Sequence, residues 1–216
     1  MKNTKVLEML NNGQIEELKT LLQDEIFAES LKGNGNAKKR YAAMKRYFKY
    51  ADKNNHNEAL KKPCKEVVMS DGTYNSFVDG YTLVLTTEGI GEIEAYDTTK
   101  GTYFDVRKMI NYPSEYEMVD VNKILAEAKS KNYAFKKSEI GQGMDFQYCF
   151  KYKEGYFKIG LLDQAYSIID DGEKAEVYYN GAKGLLFIKT SLGVCGILPF
   201  NADAEIHEKK TVIEVA

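Results

Sequence analysis

The chain has 216 residues and a formal net charge of −2 at pH 7, with 44% hydrophobic and 29% charged residues. This composition is too apolar for general disorder, and a chain of this length holds one large or two small domains. No stretch approaches the roughly 20 apolar residues of a membrane-spanning helix, and the amino terminus lacks the long apolar segment of a secretory signal. We therefore expect a cytoplasmic α+β protein without membrane contacts.

The three cysteines, Cys64, Cys149 and Cys195, are odd in number and widely spaced, and each has strand-like neighbours. This pattern indicates buried free thiols in a reducing compartment rather than a disulfide framework.

Two helices are predicted at the amino terminus, over residues 4–10 and 14–31, separated by Asn-Asn-Gly at 11–13. The apolar residues of the second helix recur at helical spacing, which predicts one buried stripe. The stripe consists of Ile15, Leu18, Leu22 and Ile26. Residues 32–36, Lys-Gly-Asn-Gly-Asn, form the best candidate linker of the chain.

Residues 37–53 are strongly basic, with seven lysines and arginines against the single acid Asp52. Helical periodicity places Tyr41, Met44, Phe48 and Ala51 on one side of a predicted helix. The other side carries Lys38, Lys39, Lys45, Arg46, Lys49 and Lys53. Such a face is either a solvated surface or a contact for nucleic-acid phosphates, which clustered cations bind without reading sequence.

The remainder of the chain is predicted to alternate helices and short strands. Residues 65–106 are mainly β, with turns at Asp-Gly pairs 71–72 and 79–80. A strand (116–121), a helix (122–132, with Ile124, Leu125 and Ala128 inward) and a hairpin (145–160) follow. The next predicted helix, 161–172, is followed by three strands at 175–179, 184–190 and 193–200. Its apolar side consists of Leu161, Leu162, Ala165, Ile168 and Ile169. A helix followed by a three-stranded meander thus occurs at least twice.

The order of segments 112–125, 156–190 and 193–201 resembles the last domain of bacterial DNA sliding clamps, the β subunit of DNA polymerase III. Tyr-Pro-Ser-Glu-Tyr at 112–116 is similar to the family's Phe-Pro-Asp-Tyr stretch, and residues 157–162 to its strand-to-helix step. Leu198-Pro199 matches the family's final Met-Pro, and Ser-Phe-Val-Asp-Gly-Tyr-Thr-Leu-Val at 76–84 its Ala-Thr-Asp-Gly-Tyr-Arg-Leu segment.

The resemblance implies an α+β, DNA-clamp-like fold, with helices packed on antiparallel meander sheets and an extra N-terminal helical segment. It divides the chain into the helical segment 1–34, clamp-like subdomains 35–111 and 112–206, and a tail, 207–216. The chain has about half the length of a bacterial clamp subunit, so the resemblance leaves ring closure and oligomeric state open. Val78 and Thr82 replace the family's threonine and arginine.

The resemblance also implies two kinds of binding surface. Helices of the family present positive charge to duplex DNA, which adds Lys123, Lys129 and Lys131 to the six cations of residues 37–53. Against this role stand the outward acids Asp163, Asp170 and Asp171 of the predicted helix 161–172. Clamps also hold linear peptides of polymerases and other partners in an apolar cleft. The corresponding residues here are Gly80, Tyr81, Leu83, Ile197, Leu198 and Pro199, which could equally fill the core.

Catalytic signatures are sparse in the sequence. It holds only two histidines, His56 and His207, and neither a phosphate-binding GxxxxGK[ST] loop nor a GxSxG elbow. We therefore expect no enzyme activity, cofactor or metal.

The sequence leaves three functional hypotheses open. The first is a clamp-like, processivity-factor-like protein of phage or mobile-element origin that binds duplex DNA as an oligomer and tethers replication or repair factors to it. The second is a protein adaptor that uses the cleft or the acidic N-terminal helices without DNA. The third is a binder of single-stranded nucleic acid that stacks bases on tyrosines. Its candidate residues are Tyr47, Tyr50, Tyr148, Tyr152 and Tyr156.

Overall fold

The computed structural model describes residues 2–54, 65–69, 72–78, 81–87, 106, 109–130, 148–181, 183–199 and 211–214. The helices in these ranges are α1 (Lys2–Asn11), α2 (Ile15–Ser30), α3 (Gly35–Asn54), α4 (Val121–Ser130) and α5 (Ile159–Ile169). The strands are β1 (Lys65–Met69), β2 (Gly72–Val78), β3 (Thr82–Thr86), β4 (Glu117–Val119), β5 (Tyr148–Tyr152), β6 (Gly155–Lys158), β7 (Ala175–Tyr179), β8 (Leu186–Thr190), β9 (Gly193–Ile197) and β10 (Thr211–Glu214). The protein is therefore α+β, as predicted.

A seven-stranded sheet organises the protein, in the order β1-β2-β3-β9-β8-β7-β4, and every neighbouring pair is antiparallel. Helix α3 precedes the meander β1-β2-β3, and helix α5 precedes the meander β7-β8-β9. The predicted repetition of a helix and a three-stranded meander is thus confirmed. The two meanders meet at their third strands, where Val84 of β3 lies opposite Cys195 of β9.

Helix α5 is the centre of the core on the helical side of the sheet. It contacts α3 and α4 and packs on strands β3, β8 and β9. The predicted apolar side, Leu161, Leu162, Ala165, Ile168 and Ile169, is buried, and so are Ile159 and Tyr166. Since apolar side chains cover more than one side of α5, this helix lies inside the protein rather than on its surface.

The opposite face of the sheet is also covered. Leu83, Leu85, Phe187 and Val194 are buried there together with Tyr178 and Val106. The ring of Tyr112 packs on this face with its centroid 4.4 Å from that of Tyr178. Strands buried on both faces carry nearly continuous apolar runs, as β3 and β9 do.

A second, three-stranded sheet has the order β10-β5-β6. Strands β5 and β6 form the predicted hairpin, and their Phe150 and Phe157 rings stack with centroids 5.4 Å apart. Strand β10 pairs in parallel with β5. Residues 211–214, predicted to belong to a tail, therefore form part of a sheet.

The N-terminal hairpin corrects one prediction. Helices α1 and α2 form as expected, but of the predicted α2 stripe only Leu18 is buried, whereas Ile15, Leu22 and Ile26 are exposed. Helix α2 turns Phe27 toward the body of the protein instead, where it packs against the main core together with Leu31. Periodicity correctly placed Ile15, Leu22 and Ile26 on one face of α2. The prediction that this face is buried was wrong, because Phe27 and Leu31 make the contact with the core instead.

The inward residues of α4, Ile124, Leu125 and Ala128, are buried as predicted, and so are Cys149 and Cys195, neither of which forms a disulfide. Burial raises the pKa of the Cys195 thiol. The strands predicted between residues 88 and 105, together with Cys64, His56, Gly80, Lys131 and His207, lie outside the described residues.

Candidate nucleic-acid interface

Helix α3 separates a cationic face from an apolar one. Lys38, Lys39, Lys45 and Arg46 are exposed, whereas Tyr41 and Met44 are buried in the core. The side chains of Phe48, Lys49, Ala51 and Lys53 are not among those described. The exposed and buried residues therefore agree with the predicted amphipathic helix wherever the structure describes them.

Local contacts fix the start and the orientation of α3. The Asn34 side chain accepts a hydrogen bond from the backbone N–H of Ala37 at 3.0 Å, as an N-terminal cap does. The Tyr41 ring meets Phe27 of α2 edge-on at 5.1 Å, and Lys45 Nζ lies 4.8 Å from the centroid of the same Tyr41 ring. Because Tyr41 is held in the core, this cation–π contact positions the Lys45 ammonium at the surface.

Arg40 is a buried cation that sequence reasoning did not identify. Only 5% of its surface is exposed. Its Nε donates a hydrogen bond to the Ile168 carbonyl oxygen at 2.7 Å, and Nη2 donates to Thr86 Oγ1 at 3.3 Å. The spacing of Arg40, Met44 and Tyr47 places all three on one face of α3, and this spacing was the available signal.

Tyr47 anchors the same helix further along the sheet. It is fully buried, and its hydroxyl lies 2.9 Å from Thr82 Oγ1. Arg40 and Tyr47 thus connect α3 to the two ends of β3, at Thr86 and Thr82. The cationic face lies on a helix that is fixed to the core at both anchors.

The lysines of α4 differ in their surroundings. Lys123 and Lys129 are exposed, and Lys129 Nζ lies 3.6 Å from the carboxylate of Asp163 on α5. The contact with Asp163 offsets part of the Lys129 charge. Both α3 and α4 lie against α5. Lys123 and Lys129 both stay predicted DNA contacts.

The acids at the end of α5 act in the local structure. Asp170 accepts hydrogen bonds from Asn122 Nδ2 at 2.9 Å and from the backbone N–H of Gly172 at 3.0 Å. Asp171 accepts from the Ser191 hydroxyl at 2.7 Å and from the backbone N–H groups of Ser191 and Glu173. Burial opposes the ionisation of Asp171, but these hydrogen bonds outweigh it and hold the pKa of the carboxyl below its ordinary value. Both carboxylates stabilise the turn that follows α5, and Asp171 also stabilises the turn that follows β8.

The two segments proposed as cleft walls are neighbours in the sheet. Thr82 lies opposite Ile197, and the backbone N–H of Leu198 donates to the Tyr81 carbonyl oxygen at 2.9 Å. Leu83 and Ile197 are buried and belong to the clusters on opposite faces of the sheet, so these two side chains fill the core. Of the proposed cleft residues, Tyr81 is exposed and Leu198 and Pro199 are half-buried, so these three can contribute to a surface.

The tyrosines proposed for base stacking are mostly not accessible. Tyr47 and Tyr152 are buried, and Tyr156 is half-buried. The Tyr152 hydroxyl donates to Glu117 at 2.8 Å, and its ring contacts Tyr179. The side chains of Tyr50 and Tyr148 lie outside the described set. Stacking of bases on Tyr47 or Tyr152 would require unpacking the core.

The described residues offer neither a metal site nor a membrane-spanning helix. No group of three or more His, Cys, Asp or Glu side chains in this part of the chain could hold a metal ion. In the same ranges, no helix is long and apolar enough to cross a membrane. The cationic face of α3 is the candidate binding site.

Comparisons with known proteins identified no relative of this chain. The sequence matches no protein-family model, and searches of curated protein sequences and of solved structures found no similar protein.

Proposed function

We propose that the protein binds duplex DNA without sequence preference, as a non-catalytic, clamp-like tether. The observation that carries this proposal is the exposed set Lys38, Lys39, Lys45 and Arg46 on one side of α3. A row of cations on a helix gains affinity for DNA by releasing counterions from the phosphate backbone, and it reads no base.

The fixed position of α3 supports the proposal. Arg40 and Tyr47 join the helix to β3, so the backbone that carries its cations need not be ordered on binding. The entropy loss on association is therefore smaller than for a mobile basic segment. The two helix-and-meander units that share one antiparallel sheet also support the proposal, because the resemblance to sliding clamps implies helices packed on antiparallel meander sheets.

The tethering part of the proposal concerns Tyr81, Leu198 and Pro199. The hydrogen bond between Leu198 and Tyr81 places these residues at the same end of the β3–β9 pair. An exposed aromatic ring beside half-buried apolar residues fits the anchor side chains of a linear peptide of the clamp-binding type. We assign the partner contacts of a clamp-like tether to this surface.

Titration of labelled 30-base-pair duplexes of unrelated sequence, followed by fluorescence anisotropy in low salt, tests the DNA proposal. We expect similar affinities for all duplexes and weaker binding to single strands of the same length. A protein that binds none of the duplexes, but captures clamp-binding peptides, would be the adaptor of the second hypothesis. Preference for single strands would support the third.

A further inference from the structure

Helices α3, α4 and α5 share one apolar core on the same side of the large sheet. Their outward residues therefore face away from the sheet on a common surface, which we call the helical surface. Helix α5 has no lysine or arginine, and the charged residue in its middle is Asp163. The charged residues of the helical surface used below are Lys38, Lys39, Lys45, Arg46, Lys123, Lys129 and Asp163.

Two contacts show that α4 runs antiparallel to α5. Near the start of α4, Asn122 Nδ2 donates a hydrogen bond to Asp170, just beyond the end of α5, at 2.9 Å. Near the end of α4, Lys129 Nζ lies 3.6 Å from the carboxylate of Asp163. The side chain of Lys129 is 59% exposed and that of Asp163 is 23% exposed. The Asp163 carboxylate thus reaches solvent beside a cation that is a predicted DNA contact.

The stability of the fold does not account for Asp163. Asp170 and Asp171 accept hydrogen bonds from the turns at the end of α5 and β8, whereas Asp163 lies inside the helix. Aspartate is among the poorer helix formers at such a position. Its ion pair with Lys129 is partly exposed, and pairs of this kind add little to stability. The acid therefore matters more for what the helical surface binds than for folding.

We propose that Asp163 limits the affinity of the helical surface for duplex DNA, so that α3 holds most of the contact and the DNA is released readily. This inference rests on the proposed function and names a residue that regulates the same site. A phosphate that approaches Lys129 must replace Asp163 as its partner, and it is repelled by the nearby carboxylate. Lys129 then neutralises the phosphate less completely and releases fewer counterions. A weak contact suits a tether that moves along the duplex.

The variant Asp163→Asn keeps the shape of the side chain and removes its charge. With labelled 30-base-pair duplexes, we expect this variant to bind about threefold to tenfold more tightly than the parent in low salt. The slope of the logarithm of affinity against the logarithm of salt concentration should steepen by up to about 0.9, because one phosphate contact becomes complete.

Glu115→Gln is the matched control, because it changes the net charge by the same amount. Glu115 is exposed ahead of β4, and the ring of its neighbour Tyr116 packs with Tyr178 on the opposite face of the sheet. This variant should alter duplex affinity by less than about twofold, since charges this far from the contact are screened.

Equal affinities and equal salt slopes for Asp163→Asn and Glu115→Gln overturn the role of Asp163 and leave the DNA proposal intact. A parent protein that binds no duplex in low salt overturns the DNA proposal, and this inference with it. Urea unfolding of Asp163→Asn should give the midpoint of the parent. A shifted midpoint with unchanged duplex binding would assign Asp163 to the fold and also overturn the inference.

Discussion

Arg40 Nε and the carbonyl oxygen of Ile168 lie 2.7 Å apart and join α3 to the last turn of α5. The final carbonyls of a helix lack helical partners, and inside a protein each needs another donor. Thr190 Oγ1 donates a hydrogen bond to the Ile169 carbonyl oxygen at 2.6 Å, and Arg40 donates the one to Ile168. The buried arginine therefore caps the central helix and fixes the helix that carries the surface cations.

Replacement of Arg40 should destabilise the protein strongly. Arg40→Met removes the donors to Ile168 and Thr86 while keeping much of the side-chain volume, and we expect a loss of about 2–3 kcal/mol in the free energy of unfolding. Urea unfolding gives this value. Lys39→Met, a change at the neighbouring exposed residue, should alter stability by less than about 0.5 kcal/mol. Equal effects of the two substitutions would contradict the capping role.

The contact between Tyr47 and Thr82 should appear as a coupling energy. Tyr47→Phe leaves the ring in place and removes the hydroxyl, at a loss of about 1 kcal/mol. Thr82→Val removes the partner. In a double-mutant cycle the combined variant should lose less than the sum of the two single losses, because neither polar group is then left unpaired. Additive losses would show that the two hydroxyls do not interact.

Two glycines should respond oppositely to alanine. A Cβ at Gly193, in β9, would collide with the backbone oxygen of Leu85 in β3, so Gly193→Ala should disturb the pairing that joins the two meanders. We expect a loss of about 1–3 kcal/mol. Gly160, in the first turn of α5, has open space where its Cβ would be, and Gly160→Ala should stabilise the protein by about 0.5 kcal/mol. Thermal unfolding of both variants measures the difference in sign.

Asp171 should contribute to the acid sensitivity of the fold. Its pKa in the folded protein is below the ordinary value, so the unfolded chain takes up the proton first as the pH falls. The stabilisation is complete above the ordinary aspartate pKa near 4 and is lost as the pH falls through the folded value. Asp171→Asn should flatten the fall in unfolding free energy below about pH 4. Ser191→Ala, which removes one donor to the carboxylate, should flatten it in part. A profile for Asp171→Asn that runs parallel to that of the parent would exclude this contribution.

Local sequence patterns predicted most of the elements. The alternation of helices and strands and the inward faces of α3, α4 and α5 depend on residues close together in the chain, and periodicity reports these directly. The pairing of β3 with β9 joins residues more than a hundred positions apart. No local pattern in the sequence encodes it.

The errors have a common physical origin. An apolar stripe marks a face that can be buried, and the stripe of Ile15, Leu22 and Ile26 is exposed because Phe27 makes the tertiary contact. Arg40 is the converse, a charged residue buried because a helix end needs a donor. In both cases the decisive partner is on a different element. Helical periodicity leaves Arg40 out of the cationic side of α3, but the partners that bury it can be identified only from the tertiary structure.

The salt dependence of duplex binding tests the central proposal most directly. We predict that the logarithm of the affinity falls linearly with the logarithm of salt concentration, with a slope of about −0.9 for each phosphate contact. Replacing Lys38, Lys39, Lys45 and Arg46 by glutamine should reduce the magnitude of that slope by about 3–4. The same change at Lys5, Lys19, Lys174 and Lys183, which are exposed elsewhere, gives a control of identical net charge and should leave the slope nearly unchanged. Equal slopes for the two quadruple variants would contradict the assignment of the DNA contact to α3.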